Sequence, residues 1–149
     1  MAHFERTNPA PTVKGDYRSF RPYVRRDFKQ YCAYCLLHED NAAGEENFEL
    51  DHFHPRKQFK AIEKDFYNLY YSCHPCNRIK WHQWPTPELQ AKGIGFVDLC
   101  KDNFEDHFRE KPDGQWEPLT ESARYTLKAI RLNRPHLLKL RERLRSNSS

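Results

Sequence analysis

Four cysteines fall in two Cys-x-x-Cys pairs, Cys32/Cys35 and Cys73/Cys76, with 37 residues between the pairs. Asp51-His52 lies inside that interval, and Asn77-Arg78-Ile79-Lys80 follows the second pair directly. Two such knuckles present four thiolates, the donor set on which zinc closes a tetrahedron with sulfurs about 2.3 Å from the metal. Thiolates are soft ligands and zinc does no redox chemistry, so a site of this kind holds a fold together. An iron–sulfur cluster uses the same donors, but nothing else in the chain points to electron transfer. His38 or His74 is available to replace one sulfur, and Cys100, far from both pairs, reads as a plain thiol. The enclosed Asp51-His52 sets a carboxylate beside a group that exchanges protons near neutral pH. The structural metal would then fold the chain around a second, catalytic metal site.

The polypeptide that must position these groups has 149 residues, 38% hydrophobic and 14% aromatic, enough for one domain with a modest core. Five cysteines, an odd number, do not read as a disulfide framework. No run approaches the roughly 18 apolar residues of a membrane span, and residues 1–15 lack the apolar segment of a signal peptide, so a cytoplasmic location is expected. The formal charge of +4 is unevenly spread. Residues 1–31 hold 7 basic and 3 acidic side chains, residues 32–121 hold 10 and 17, and residues 122–149 hold 8 and 1. Within the acidic middle, residues 51–80 reverse the trend with Arg56, Lys57, Lys60, Lys64, Arg78 and Lys80. A positive island around the candidate site suits a polyanionic ligand.

Hydrophobic periodicity and turn residues supply the elements. Residues 1–16 have Pro, Asn, Thr and Gly without period and read as a flexible tail. Phe20, Tyr23, Val24 and Phe28 recur at helical spacing and predict a helix over Tyr17–Gln30, with Pro22 in its first turn. His38–Asn47 reads as a loop, and Phe48–Phe53 alternates as a strand stopped by Pro55. Phe66–Ser72 fits a second strand or a helical turn, and Asn77–Trp84 a short helix ended by Pro85. Ile94–Leu99 reads as a strand, as do the two arms around the Pro112-Asp113-Gly114 turn. Thr120 is an N-cap for a helix carrying Leu127 and Ile130. Asn133-Arg134-Pro135 interrupts it before a second helix with Leu137, Leu138, Leu140 and Leu144, and residues 146–149 are expected to fray.

Cys32-x-x-Cys35, Asp51-His52-x-x-Pro55, Asn68-Leu69 and Cys73-x-x-Cys76-Asn77-x-x-Lys80, taken in that order, resemble the HNH endonuclease family. The resemblance implies an α+β fold: a small ββα-metal core with a four-cysteine zinc site, an N-terminal helix and a C-terminal helical segment. With the elements read above, the chain is expected to divide into a flexible tail over 1–16, a nuclease core with zinc knuckles over 17–90, a strand and helix extension packed on the core over 91–145, and a frayed end over 146–149. The resemblance also implies hydrolysis of DNA phosphodiester bonds, by nicking or double-strand cleavage, with RNA as the other candidate substrate. Structural Zn²⁺ and catalytic Mg²⁺ or Mn²⁺ are the expected cofactors. Asp51 and Asn77 are the implied ligands of the catalytic metal, and their hard oxygens suit those ions better than zinc. His52 is the implied general base, with an unperturbed pKa near about 6.5. Asn68 holds the loop that carries it. Arg56, Lys57, Arg78 and Lys80 would contact the nucleic-acid backbone, with His54 as an auxiliary.

The sequence departs from the family pattern at Asn77, where a histidine is usual, and at Trp81, where glycine is frequent. Its C-terminal part is similar to a bacterial and phage-associated subgroup, which implies a place in defence or mobile-element systems. The basic C-terminal helices fit a nucleic-acid clamp or a docking face for an ATPase or a second subunit, without any membrane role. The competing reading is a non-catalytic, zinc-stabilised nucleic-acid-binding module. A zinc protein that binds another protein is a third, supported by the acidic middle.

Overall fold

The computed structural model describes residues 2–147 and shows an α+β fold. Strands β1 (Phe48–His52) and β2 (Leu69–Cys73) pair antiparallel, with Phe48 opposite Cys73, Asp51 opposite Tyr70 and His52 opposite Leu69. All five residues of β2 are buried. A strand covered on both faces shows an unbroken run, here Leu69-Tyr70-Tyr71, in place of alternation, so its period was not readable. Both expectations for 66–72 are realised in succession. A 3-10 turn over Phe66–Asn68, capped by Asp65 accepting from the Tyr67 amide at 3.0 Å, leads straight into β2.

Helix α2 (His74–Lys80) follows β2 without a loop. Cys73 is its extended N-cap residue and Pro75 sits in the first turn, where the ring costs no hydrogen bond. The helix therefore starts three residues before the expected Asn77 and stops at Lys80, short of Trp84. Helix α1 (Arg21–Asp27) is shorter than Tyr17–Gln30: a 3-10 turn capped by Asp16 precedes it, and the positive φ of Lys29 and Gln30 ends it. Val24 and Phe28 are fully buried and form the centre of the core with Leu69 and Tyr71.

The N-terminal segment is not a free tail. Phe4 is 2% exposed, and its amide donates to Leu99 O at 2.8 Å. Arg6 Nε and the Thr7 amide both reach Asp27 Oδ2, at 3.1 and 2.8 Å, and the Arg6 guanidinium lies over the Phe66 ring. A buried aspartate at the end of α1 with an arginine as its counterion fastens residues 3–7 to the core.

After α3 (Pro87–Ala91) the expected strand at Ile94–Leu99 does not form. The backbone amides there are satisfied by helix hydroxyls instead of a strand partner: Gly95 donates to Ser122 Oγ at 3.2 Å and Val97 to Thr126 Oγ1 at 2.8 Å. Both hydroxyls belong to α4 (Glu121–Ala129), whose N-cap Thr120 accepts from the Ala123 amide. The small hairpin β3 (Phe108–Glu110) and β4 (Trp116–Pro118) forms as expected. Its turn needs glycine: at Gly114, φ +87°, a Cβ would come within 2.8 Å of Leu138 O. Asn133 accepts from the Trp116 amide and donates to its carbonyl, fixing the hairpin to the corner before α5 (Pro135–Asn147). Ser146 and Asn147 remain helical, and the fraying expected at 148–149 lies outside the described residues. No helix among the described residues is long and apolar enough to cross a membrane.

Candidate metal-dependent active site

The four paired cysteines converge. Their sulfurs lie within 4.8 Å of one another, all four residues are buried, and Cys35 Sγ stands 3.8 Å from Cys73 Sγ. A zinc tetrahedron with bonds of about 2.3 Å has edges of about 3.8 Å, so the donor set fits zinc. The first knuckle is shaped by Leu36, φ +60°, whose amide bonds Cys32 O while Cys32 N bonds Leu37 O. The second is the β2–α2 junction, which puts Cys73 at the strand end and Cys76 in the first helical turn. Neither histidine alternative is used: His38 pairs with Gln30 and the Asp40 amide, and His74 with Glu49 at 2.7 Å. Cys100 stands apart, its thiol pushed up to about 12 by burial and then by Asp98.

Arg134, which sequence reasoning did not single out for the site, donates Nη2 to Cys76 Sγ at 3.4 Å. Four thiolates on Zn²⁺ carry a net charge of −2, so a guanidinium at hydrogen-bond distance is electrostatically favoured there. The contact spans 58 residues, and no local pattern announces it.

Asp51 and His52, successive on β1, point to opposite sides, as strand geometry requires. Asp51 is 4% exposed and turns toward α2. Its Oδ2 accepts from the Tyr34 hydroxyl and, at 3.1 Å, from Lys80 Nζ. Burial pushes the Asp51 carboxyl above the usual range, while Lys80 and then Tyr34 pull it back. Oδ1 takes no hydrogen bond among the described residues, and Asp51 lines a cleft.

Lys80 is the correction to the basic set. It is fully buried, and its three ammonium hydrogens go to Asp51 Oδ2, His52 O at 3.1 Å and Phe53 O at 2.9 Å. It cannot reach a phosphate from there. It fastens the end of β1 to α2.

On the other side of β1 the His52 ring packs edge-on against Tyr17, centroids 4.7 Å apart, and Nε2 lies 3.0 Å from Glu63 O. A carbonyl only accepts, so the neutral ring carries its proton on Nε2 and its lone pair on Nδ1. Burial lowers the His52 pKa, the Glu63 carbonyl opposes that, and Arg56 adds to it. Asn68 closes the loop behind the ring: Oδ1 accepts from the His54 amide at 2.8 Å and Nδ2 donates to His54 O at 3.1 Å. His54 itself does not line the cleft. Its ring packs 4.4 Å from Trp84 and against Phe59.

Asp51 and His52 line an open cleft of about 670 Å³ together with Tyr17, Arg21, Arg56, Asn77, Arg78 and Trp81. The Asn77 amide and the exposed Arg78 guanidinium take no hydrogen bond among the described residues. Arg56 leans on the Tyr17 hydroxyl at 3.3 Å and lies 3.6 Å from Glu63. Lys57 is exposed but stands outside the cleft lining.

A four-cysteine clasp around an antiparallel hairpin, followed at once by a helix, with Asp-His at the hairpin end and Asn on the helix, defines a ββα-metal domain. Residues 32–83 match the family model described as HNH endonuclease. No curated protein matches the chain.

Proposed function

We propose that the chain is a metal-dependent endonuclease that hydrolyses DNA phosphodiester bonds. The observation that carries this reading is the meeting, in one basic cleft, of a free Asp51 oxygen, a free Asn77 amide and an imidazole turned the opposite way on the same strand. Asp51 Oδ1 and the Asn77 amide oxygen are hard donors that fit Mg²⁺ or Mn²⁺, and these two residues would hold it. Bound there, the ion supplies charge neutralisation at the phosphate and at the leaving oxygen. His52 accepts the proton of the attacking water at Nδ1, with Nε2 anchored on Glu63 O so that the lone pair stays aimed. Asn68 keeps that loop in place, and Lys80 fixes the carboxylate's other oxygen. Arg78 and Arg56 seat the phosphodiester backbone, with Lys57 as an outlying contact. One site of this kind cuts one strand, so nicking is the elementary event. Zinc on the four cysteines is the scaffold that joins β1, β2 and α2. The test is nicking of supercoiled plasmid in Mg²⁺ or Mn²⁺: His52→Ala should abolish cleavage while keeping DNA affinity, and equal cleavage by both proteins would refute the assignment.

A further inference from the structure

Trp81 stands where a large side chain is least expected. It is 67% exposed, more than any other large hydrophobic residue described as exposed, and it sits at the cleft mouth beside Arg78 and His82. Its backbone, φ +47° and ψ −125°, lies where a Cβ is unfavourable and glycine is at home. Among the described residues the indole Nε1 takes no hydrogen bond, and the ring's only aromatic neighbour is His82, centroids 4.5 Å apart. The Trp81 amide meanwhile donates to Asn77 O at 2.9 Å, which ties this residue to the helical turn bearing the candidate ligand. Strain kept at a functional cleft, on a side chain that packs on almost nothing, points to a contact made only in the complex.

We infer that Trp81 is a base-stacking residue and that the cleft takes nucleic acid with an unpaired base beside the phosphate it engages. This rests on the nuclease reading and narrows its substrate. An indole face gains by stacking on a base whose own face is uncovered. In an intact duplex both faces of each base are already stacked, so the gain arises only at a single-stranded segment, a flap or a flipped base. The exposed Arg78, three residues before Trp81, is placed to take a neighbouring phosphate while the ring takes the base.

The test uses the full-length, zinc-loaded protein without added Mg²⁺ or Mn²⁺. Binding of a labelled oligo-dT single strand and of a duplex of the same length is read by fluorescence anisotropy for wild type, Trp81→Gly and Trp81→Phe. Trp81→Gly should weaken single-strand binding about tenfold and duplex binding by much less, with Trp81→Phe near wild type. Its melting temperature should rise by about 2–4 °C as the strained backbone relaxes. Unchanged single-strand affinity, equal losses on both DNAs, or a lower melting temperature would overturn the inference, the last because it would make Trp81 a residue of the fold. A protein that shows the stacking signature but never cuts plasmid in either metal would sink the nuclease reading and leave this one standing.

Discussion

Replacing Lys80 by Met keeps an unbranched side chain, one heavy atom shorter, and removes its charge. In the structure that charge is fully buried and spends its three hydrogens on Asp51 Oδ2, His52 O and Phe53 O, against a carboxylate only 4% exposed. The variant leaves Asp51 with the Tyr34 hydroxyl as its sole side-chain donor among the described residues and strands two backbone carbonyls at the end of β1. Breaking one side of a buried ion pair costs about 3–5 kcal/mol. In a chain of this size each kcal/mol moves the melting temperature by about 2–4 °C, so the drop should be on the order of 10 °C. Circular-dichroism melts of zinc-loaded wild type, Lys80→Met, Asp51→Asn and the double variant would measure it. Because the charges are removed together, the double variant should recover more than about 1 kcal/mol relative to the sum of the singles. The reasoning is refuted if Lys80→Met melts within about 2 °C of wild type and instead binds DNA tenfold more weakly, since the ammonium would then be on a phosphate.

Three further expectations concern the sulfurs. Arg134→Gln should release zinc to a chromogenic chelator on the order of 10-fold faster than wild type, as loss of an outer partner of a metal ligand commonly does; an unchanged release rate would show that the Arg134–Cys76 contact carries no weight. With zinc fully stripped the cooperative melt should disappear. Cys100 should react sluggishly with a disulfide reagent: burial and Asp98 hold its thiol up near about 12, so its thiolate fraction at pH 8 is small and its rate should keep climbing through pH 10. A rate that levels off near pH 9 would contradict the burial argument.

The ββα core was legible because its constraints are short-range and chemical. Two Cys-x-x-Cys pairs, a strand that alternates at Phe48–His52 and a proline in the first turn of α2 each carry their own signal. What escaped depends on distant partners. Lys80 looks like any surface lysine until Asp51 and Tyr34 are brought around it, and its burial turns an expected phosphate contact into an internal strut. Residues 3–7 lack periodicity, and their order comes from Asp27, about twenty positions away. Ile94–Leu99 has the composition of a strand, but its donors found Ser122 and Thr126. Trp81 stands out in the sequence as a departure from the family's glycine, whereas its exposure and strained backbone are set by how α2 ends in the folded chain.

The measurement closest to the central claim is conversion of supercoiled plasmid to nicked circles by the zinc-loaded protein. Mn²⁺ or Mg²⁺ should switch it on, and His52→Ala should lose it while retaining wild-type affinity for the same DNA. Cleavage that survives His52→Ala, or an intact, zinc-loaded protein that nicks in neither metal, would contradict the assignment of this cleft as a nuclease site.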